Sequence, residues 1–379
     1  MVPLTTPTLV ARAWWSGRLV AESTATVRVE EAGKAPVLCF PCSDVRLDRL
    51  DGDGRDVVSR RGDLVVFDHD RVRVELVDAV PGAAPRDVTV KRFPTWGDVA
   101  DLVDVLDVRP AGERRYVGVA RSDWRRPVVE GSQMLGQAIV SAGRHAPGRR
   151  TVSAHMVFLR PADAGRPLLF ELEELSAGKT FTTLAVHVGQ DGRRCAAGTL
   201  LLDALSPDVI RHAVAAPDVA GPYESEPYDM SVTGRDVRIV DGVYTGDPDA
   251  PAGPPRLDAW VRFRDVPDDP YLHAGLLAQF TGHLPIAAAL RPHEGIGQDS
   301  AHRTLSTAIN AIGLSLHRDV RADRWMGYRH RSTFAGDGMT HAECRVHDEA
   351  GELLASFTVD AMVRPFRGSP DHVDERRAL

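Results

Sequence analysis

Hydrophobic and polar positions follow the same order twice along this chain, near residues 95–205 and again near residues 255–365. In the first copy, an apolar segment with helical spacing at 131–140 precedes a series of runs with the alternation typical of strands. In the second copy, a longer apolar segment at 271–290 predicts a helix and again precedes such runs. A repeat of this length indicates that one structural unit is made twice.

Each copy predicts four strands after its helix, and a glycine turn stands before the last strand. These turns are Asp191-Gly192 in the first copy and Ala350-Gly351 in the second. One helix wrapped by a strongly bent antiparallel sheet, made twice, is an α+β double hotdog, and this is the fold class we predict. The strands are expected at 153–161, 168–175, 180–190 and 195–202, then at 305–317, 325–333, 339–348 and 353–363.

The chain before the repeat predicts a separate, small all-β domain, because short apolar runs alternate there with turns such as Asp51-Gly52-Asp53-Gly54. A helix at 95–108 leads into the first repeat. The expected organisation is an all-β domain at 1–90, an N-terminal hotdog at 95–205, a connecting segment at 206–256, a C-terminal hotdog at 257–365 and a disordered tail at 366–379.

Composition narrows the classes of partner. The 379 residues are 43% hydrophobic, which suffices for two or three domains with buried cores. The net charge is −7 with both signs interspersed, so no basic face for nucleic acid is expected. The N-terminus has no signal-peptide pattern, and no stretch approaches the roughly 18 apolar residues of a membrane span. We expect a soluble, cytoplasmic protein with neither nucleic acid nor membrane as partner.

No metal site is predicted. Cys39 and Cys42 have the C-x-x-C spacing of a zinc knuckle or redox pair, but no second pair completes a tetrahedral site. Two small apolar residues at a strand end are the favoured interpretation. The four cysteines are too few and too scattered for a disulfide framework, so reduced thiols are expected.

Several segments in the right order resemble the acyl-CoA thioesterase II family over roughly residues 95–365. They include "VVEGSQMLGQAIVSAG" in the first copy, and "LLAQFTGHLPIAAALRPHEGIG" and "GELLASFTVDAMVR" in the second. The N-terminal segments "ARAWWSGRLVAES" and "CFPCSDVRLDRL" are similar to the β-tent domain of unknown function 427. The first resemblance implies a double hotdog that acts on an acyl thioester of coenzyme A or an acyl carrier protein. It also implies a homo-oligomer, with coenzyme A as part of the substrate and no separate cofactor.

The resemblance also implies a catalytic set that this sequence has lost. In the family, an Asp on the second helix, a Ser or Thr on the adjacent strand and a Gln on a later strand activate the attacking water. The corresponding positions here are Gly282, Ile309 and Val359. None of these side chains accepts a proton or orients a water. The resemblance therefore supports the double hotdog fold better than it supports hydrolysis of a thioester.

Three residues are candidates to replace the lost set. Glu130 stands at the start of the first copy's helix, where a carboxylate serves either as a base or as a simple complement to the helix dipole. His283 follows the vacant Asp position, although on a continuous helix it points about 100° away. Thr307 lies two residues before Ile309 and therefore on the same strand face. For His283 and Thr307, the alternative is an ordinary structural residue.

Candidate substrate-binding residues surround these positions. The backbone N–H of Gly131 is placed to face a carbonyl oxygen, and Gly282 occupies the vacant position itself. Gln133 and Gln137 form a polar stripe at helical spacing, either against the substrate or at the seam between the two copies.

Two functions from different classes remain open. One is a thioester hydrolase with a substituted catalytic set around Glu130. The other is a non-hydrolytic double hotdog that binds an acyl chain or carrier protein, or that performs other thioester chemistry such as dehydration or cyclisation. The sequence has no nucleophile elbow, P-loop, dinucleotide fingerprint or H-E-x-x-H motif, so serine hydrolase, nucleotide and zinc-protease chemistry are not indicated.

Overall fold

The structure is a computed structural model that describes residues 8–29, 37–79, 89–92, 99–120, 128–228, 235–244, 250–264, 266–301 and 304–365. The chain forms two compact units. The first consists of Met1–Asp101 and Pro227–Val237, and the second of Leu102–Glu226 and Arg238–Leu379. The predicted disordered tail at 366–379 lies outside the described residues. Within those residues, no helix has both the length and the apolar character that crossing a membrane requires.

The helices are α1 (Val99–Leu106), α2 (Gly131–His145), α3 (Pro270–Phe280) and α4 (Pro285–Leu290). The strands are β1 (Thr8–Trp15), β2 (Arg18–Ser23), β3 (Val27–Val29), β4 (Val37–Pro41), β5 (Val58–Arg61), β6 (Leu64–Phe67), β7 (Arg73–Ala79), β8 (Thr89–Arg92), β9 (Arg109–Gly112), β10 (Arg115–Gly118), β11 (Arg150–Phe158), β12 (Leu168–Ala177), β13 (Phe181–Gln190), β14 (Arg193–Asp203), β15 (Glu226–Pro227), β16 (Arg235–Ile239), β17 (Arg256–Phe263), β18 (Leu305–Leu316), β19 (Met326–Gly336), β20 (Met339–Asp348) and β21 (Leu353–Pro365).

The N-terminal part of the first unit is all-β, as predicted. Two four-stranded sheets have the orders β2-β1-β7-β8 and β3-β4-β6-β5. Their alternating residues bury one common core, in which the rings of Phe40 and Phe67 meet edge to face at 5.4 Å between centroids.

One long antiparallel sheet dominates the second unit, where its strands run in the order β17-β19-β20-β21-β18-β11-β14-β13-β12-β10-β9. The two copies meet where β11 pairs with β18, with Met156 opposite Ile312 and both side chains buried. The order is nearly symmetric about this pair, since each copy places its last strand next to its first. The predicted α+β double hotdog is confirmed.

The sheet has two faces with different residues. Tyr328 on β19 donates its hydroxyl to the carbonyl of Leu277 on α3 and packs its ring on Phe280, so its side of the sheet faces the helices. We call this side the helix face. Because successive side chains of a strand alternate, Arg329 and Arg331 point to the opposite side, which we call the outer face.

Glycines let the two hotdog helices approach closely. A Cβ on Gly136 of α2 would lie 2.7 Å from the carbonyl oxygen of Gly275 on α3, and one on Gly143 would lie 2.3 Å from the ring of Tyr271. The helices therefore run antiparallel and touch backbone to backbone. This crossing brings the start of α2 beside the end of α3.

The prediction of one continuous helix over 271–290 was wrong, because the structure has two helices there. The helix stops at Phe280 and a new one starts at Pro285, with a turn between them. Pro285 has no N–H to donate and fits the first position of α4, while Gly282 within the turn has little helix propensity. His283 therefore lies in a turn, and the expected angle of about 100° does not apply. The sequence also missed the β9-β10 hairpin and β17.

We expect one buried histidine to make stability depend on pH. His330 is fully buried between the rings of Tyr328 and Phe357, and burial lowers its pKa from 6.5 to about 4. The unfolded chain binds this proton more readily than the folded chain does. The contribution of the neutral, buried His330 to the free energy of unfolding is therefore complete above pH 6.5 and falls as the pH drops towards 4. The expected loss is roughly 3 kcal/mol. Urea unfolding at pH 7 and pH 4 measures it.

The variant for this test is His330→Phe, which cannot take up a proton. It also leaves the Leu257 carbonyl, now bonded to His330 Nδ1, without that partner, so it is less stable at pH 7. Its free energy of unfolding nevertheless falls less between pH 7 and pH 4 than that of the original chain. An equal fall in both proteins would contradict the assignment.

Candidate active site

Glu130 occupies the N-cap position of α2, with φ −63° and ψ 138°, but its side chain makes no capping hydrogen bond. The side chain is half exposed at 50%. The carboxylate therefore satisfies no N–H group of its own helix, and its expected role as a complement to the helix dipole stays a prediction. It is directed instead towards the other copy.

The carboxylate of Glu130 meets two side chains from the end of α3. Its Oε2 lies 3.7 Å from Nε2 of His283 and 3.5 Å from Nε2 of Gln279. Gln279 is buried, and the imidazole of His283 is only 9% exposed. The ring of His283 stacks on Phe280 with 4.7 Å between centroids, which restricts its orientation. The structure thus brings together the two candidates that the sequence places in separate copies.

The helix dipole favours the negative charge of Glu130, which stands at the N-terminus of α2. His283 lies between the C-terminus of α3 and the N-terminus of α4, whose dipoles act on it in opposite directions.

The position at which the resemblance implies an aspartate, residue 282, is surrounded closely by other side chains. A Cβ on Gly282 would lie 2.7 Å from Oγ of Ser132 and 3.1 Å from Cδ1 of Ile309. Ser132 is buried, and Val359, at the third position of the implied set, is buried as well. No pattern in the sequence singles out Ser132, whereas Gln279 has a signal that the sequence analysis missed, since it is a polar residue within an apolar run.

The other candidates have more local partners. A Cβ on Gly131 would lie 2.8 Å from the ring of Phe158, so this glycine is needed for close packing. Gln137 donates to the carbonyls of residues 105 and 119, and Gln133 donates to that of residue 119. Their amide N–H groups therefore join α2 to backbone within the first copy, and a role in substrate binding stays a prediction.

Thr307 is placed by strand register. It is buried on β18, two residues before Ile309, whose side chain reaches the Gly282 position. Alternation puts both side chains on the helix face. The structure thus brings Glu130, His283 and Gly282 to the junction of α2 and α3, with Thr307 on the adjoining strand.

Metal and thiol chemistry find no support in the described residues. They contain no group of three or more His, Cys, Asp or Glu side chains arranged to hold a metal ion. All four cysteines are free thiols. Burial raises the pKa of Cys39, Cys195 and Cys344, which disfavours the nucleophilic thiolate at neutral pH.

The fold and this junction define a double hotdog protein with ionisable groups where its two helices meet. Two family models match the chain: the acyl-CoA thioesterase N-terminal domain over residues 120–202 and the acyl-CoA thioesterase C-terminal domain over residues 213–363. Together they cover more than half of its length. The chain belongs to the acyl-CoA thioesterase family.

Individual relatives are distant but match over most of their length. The chain is 24% identical to mouse (Mus musculus) acyl-coenzyme A thioesterase 8 over 297 residues, which covers 71% of this chain and 91% of that protein. It is 23% identical to acyl-CoA thioesterase 2 of Haemophilus influenzae over 282 residues, covering 70% and 97%. Among solved structures, an acyl-CoA thioesterase II from Mycobacterium marinum has a TM-score of 0.60 at 27% identity, covering 70% of this chain and 99% of that one.

Proposed function

We propose that this protein hydrolyses acyl thioesters of coenzyme A or acyl carrier protein, with Glu130 as the general base. The observation that supports the proposal is the position of the Glu130 carboxylate, half exposed at the start of α2 and held by His283 and Gln279. A base must be accessible to water and fixed in direction, and this carboxylate meets both conditions. Family membership supplies the thioester as the substrate class.

In the proposed reaction, Glu130 removes a proton from a water molecule as that water attacks the thioester carbonyl carbon. The carbonyl oxygen becomes an oxyanion, which the N–H groups in the first turn of α2, starting at Gly131, stabilise together with the helix dipole. The intermediate then breaks its carbon–sulfur bond. The acyl group leaves as a carboxylic acid, and the thiolate takes the proton that Glu130 holds.

His283 and Gln279 act in this scheme through Glu130 and are positioning residues. Gln279 donates a hydrogen bond to the carboxylate, and His283 fixes it from a ring that Phe280 supports. Thr307 and Gly282 then contact the substrate from the adjoining strand and turn.

A second candidate function is supported by the filled aspartate position. Ser132 and Ile309 occupy the space that an Asp side chain at residue 282 would need. A double hotdog that only binds an acyl chain or carrier protein, or that performs dehydration or cyclisation, has no need of that space. This alternative keeps the fold and abandons hydrolysis.

We further propose that the five segments expected from the sequence are the functional divisions of the chain, with 1–90 as a β-tent-like module. The proposed assembly is a homo-oligomer. Resemblance supports both assignments. The boundary between the first and second units at residue 101 is close to the proposed start of the N-terminal hotdog at residue 95.

The deciding experiment is thiol release from short-, medium- and long-chain acyl-CoAs, followed with a thiol-reactive dye. Release well above the uncatalysed rate for at least one chain length supports hydrolysis. No release from any substrate, together with saturable binding of an acyl-CoA or acyl carrier protein, contradicts it and supports the second candidate.

A further inference from the structure

A cavity of about 660 Å³ lies on the outer face of the long sheet, where the two copies join. Its floor comes from strands β11, β13, β14, β18, β19, β20 and β21, and Ala215 and Pro217 of the connecting segment also line it. Neither Glu130 nor His283 lines this cavity. It is therefore a separate feature from the candidate active site.

The floor of the cavity is a row of short polar side chains. Ser153 pairs with Ser315 across the joint, Ser315 pairs with Ser356, and Ser356 pairs with Arg345. Outer-face residues on a solvated sheet are often polar, but here they lie under the connecting segment, since Nε2 of His347 is 3.4 Å from the carbonyl oxygen of Val214. The row offers hydroxyl groups to a ligand rich in oxygen atoms.

Arg329 is the residue that most needs a partner in this cavity. It is only 5% exposed, and its Nε and Nη1 atoms are buried without a hydrogen-bond partner. Its guanidinium lies 4.5 Å from the ring of Trp260, in space that Gly327 leaves open. Burying a guanidinium without hydrogen bonds is costly, and this cost is removed when an oxyanion binds the planar fork.

The charges around Arg329 increase this need. Arg345 lies directly opposite it on β20, and among the described residues neither arginine has an ion pair. Asp258, opposite Arg329 on β17, is already held by Arg331 at 2.9 Å. Like charges placed directly opposite each other are destabilising. A general excess of positive charge does not explain the pair, because the net charge of the protein is −7.

His347 is a further buried polar group beside the two arginines. Burial and the neighbouring Arg329 and Arg345 lower the pKa of His347, so the ring is neutral at pH 7 and has one N–H group. That N–H is on Nε2 and donates to the carbonyl of Val214, so the unpartnered Nδ1 is an acceptor for a hydroxyl or amino group of the ligand.

We propose that this cavity is a binding site for a small phosphate-bearing molecule, whose oxyanion is held by Arg329 and Arg345 and whose polar body contacts the hydroxyl row. Arginine suits this task because its planar fork binds two phosphate oxygens at once. The volume exceeds that of a bare phosphate, which leaves room for an attached organic group. The site does not depend on the proposed thioester hydrolysis.

The experiment measures binding of inorganic phosphate to the full chain by calorimetry and by the shift in melting temperature, in a phosphate-free buffer without any thioester. The test variant is Arg345→Met, because this side chain is exposed and its replacement is expected to leave the fold intact. We expect it to weaken binding about tenfold or more, the effect of losing a charge-assisted hydrogen bond. Arg194→Met, an exposed arginine on β14 outside the cavity lining, is the matched control and is expected to bind normally.

Two further variants give effects of opposite sign. Glu343 is the acidic residue among those lining the cavity, so Glu343→Gln is expected to tighten phosphate binding several-fold. Arg329→Met keeps an unbranched chain over Trp260 without the unpaired charge. It is expected to melt several degrees higher than the original chain without phosphate and to lose the phosphate-dependent rise.

A second ligand distinguishes the source of the phosphate. Adenosine 3′,5′-bisphosphate, the nucleotide part of coenzyme A, is titrated beside inorganic phosphate. Tighter binding of the nucleotide supports the site and identifies a nucleotide as its occupant, and equal binding supports a site for smaller phosphates. Absence of saturable binding for both, or binding that Arg345→Met leaves unchanged, overturns the proposal.

Discussion

Replacing Glu130 by glutamine is expected to lower kcat for acyl-CoA hydrolysis by about 10²–10⁴-fold, the usual contribution of a general base. Glutamine has the same shape and retains contacts with His283 and Gln279, but it cannot accept a proton. Because the side chain is half exposed and makes no capping bond, the melting temperature is expected to stay nearly constant. Thiol release at saturating substrate measures the effect.

The matched control is Glu173→Gln, an exposed glutamate on β12 of the same copy, which is expected to leave kcat unchanged. A positioning role for His283 can be separated in the same assay, since His283→Ala is expected to lower kcat less than Glu130→Gln does. Full activity of Glu130→Gln would rule out the carboxylate as the base, and another group at the junction would then have to accept the proton.

The variant Gly282→Asp, which places at residue 282 the aspartate that the resemblance implies, is expected to destabilise the protein by about 1–3 kcal/mol, the usual effect of overpacking. The new Cβ would lie 2.7 Å from Oγ of Ser132 and 3.1 Å from Cδ1 of Ile309, and one of these neighbours must move. Activity is not expected to rise, because Ile309 and Val359 cannot hold a water beside the new carboxylate. Urea unfolding and thiol release measure the two effects.

A double-mutant cycle identifies the cause of this destabilisation. Ser132→Gly removes the closest contact, although a helix glycine itself costs about 1 kcal/mol. If the contact is responsible, the double variant is more stable than the sum of the two single changes predicts, by about 0.5–3 kcal/mol. Strict additivity, or a Gly282→Asp variant as stable as the original, would show that the position is open.

Hydrophobic periodicity was sufficient to predict most of the fold. β20 has the predicted bounds 339–348, and the turn at Asp191-Gly192 has the positive φ angles, 48° and 74°, that a tight hairpin requires. The missed elements were short or lacked alternation. β9 is exposed at all four residues, and β17 is buried at nearly all of its positions, so neither shows a period of two. The break at residues 281–284 was missed because apolar residues continue on both sides of it.

The candidate site was predictable only in part. Glu130 and His283 were singled out by their residue types and by their places relative to positions that the resemblance implies. Their proximity depends on an antiparallel helix crossing that no local pattern encodes. The roles of Ser132 and Gln279 follow from the same crossing. The arginine pair of the outer cavity depends on the register of β19 with β20, which becomes visible only once the strands are paired.

The glycine contact between α2 and α3 has a consequence for how the chain folds during synthesis. Gly136 and Gly275 touch across a long sequence separation, as do β11 and β18, and loops of this length close slowly. While the ribosome makes residues 203–270, the finished first copy has an unpaired strand edge at β11 and an uncovered apolar side on α2. Such surfaces favour aggregation until the second copy emerges. Nascent chains stalled in this interval are therefore the state in which the protein most needs a chaperone.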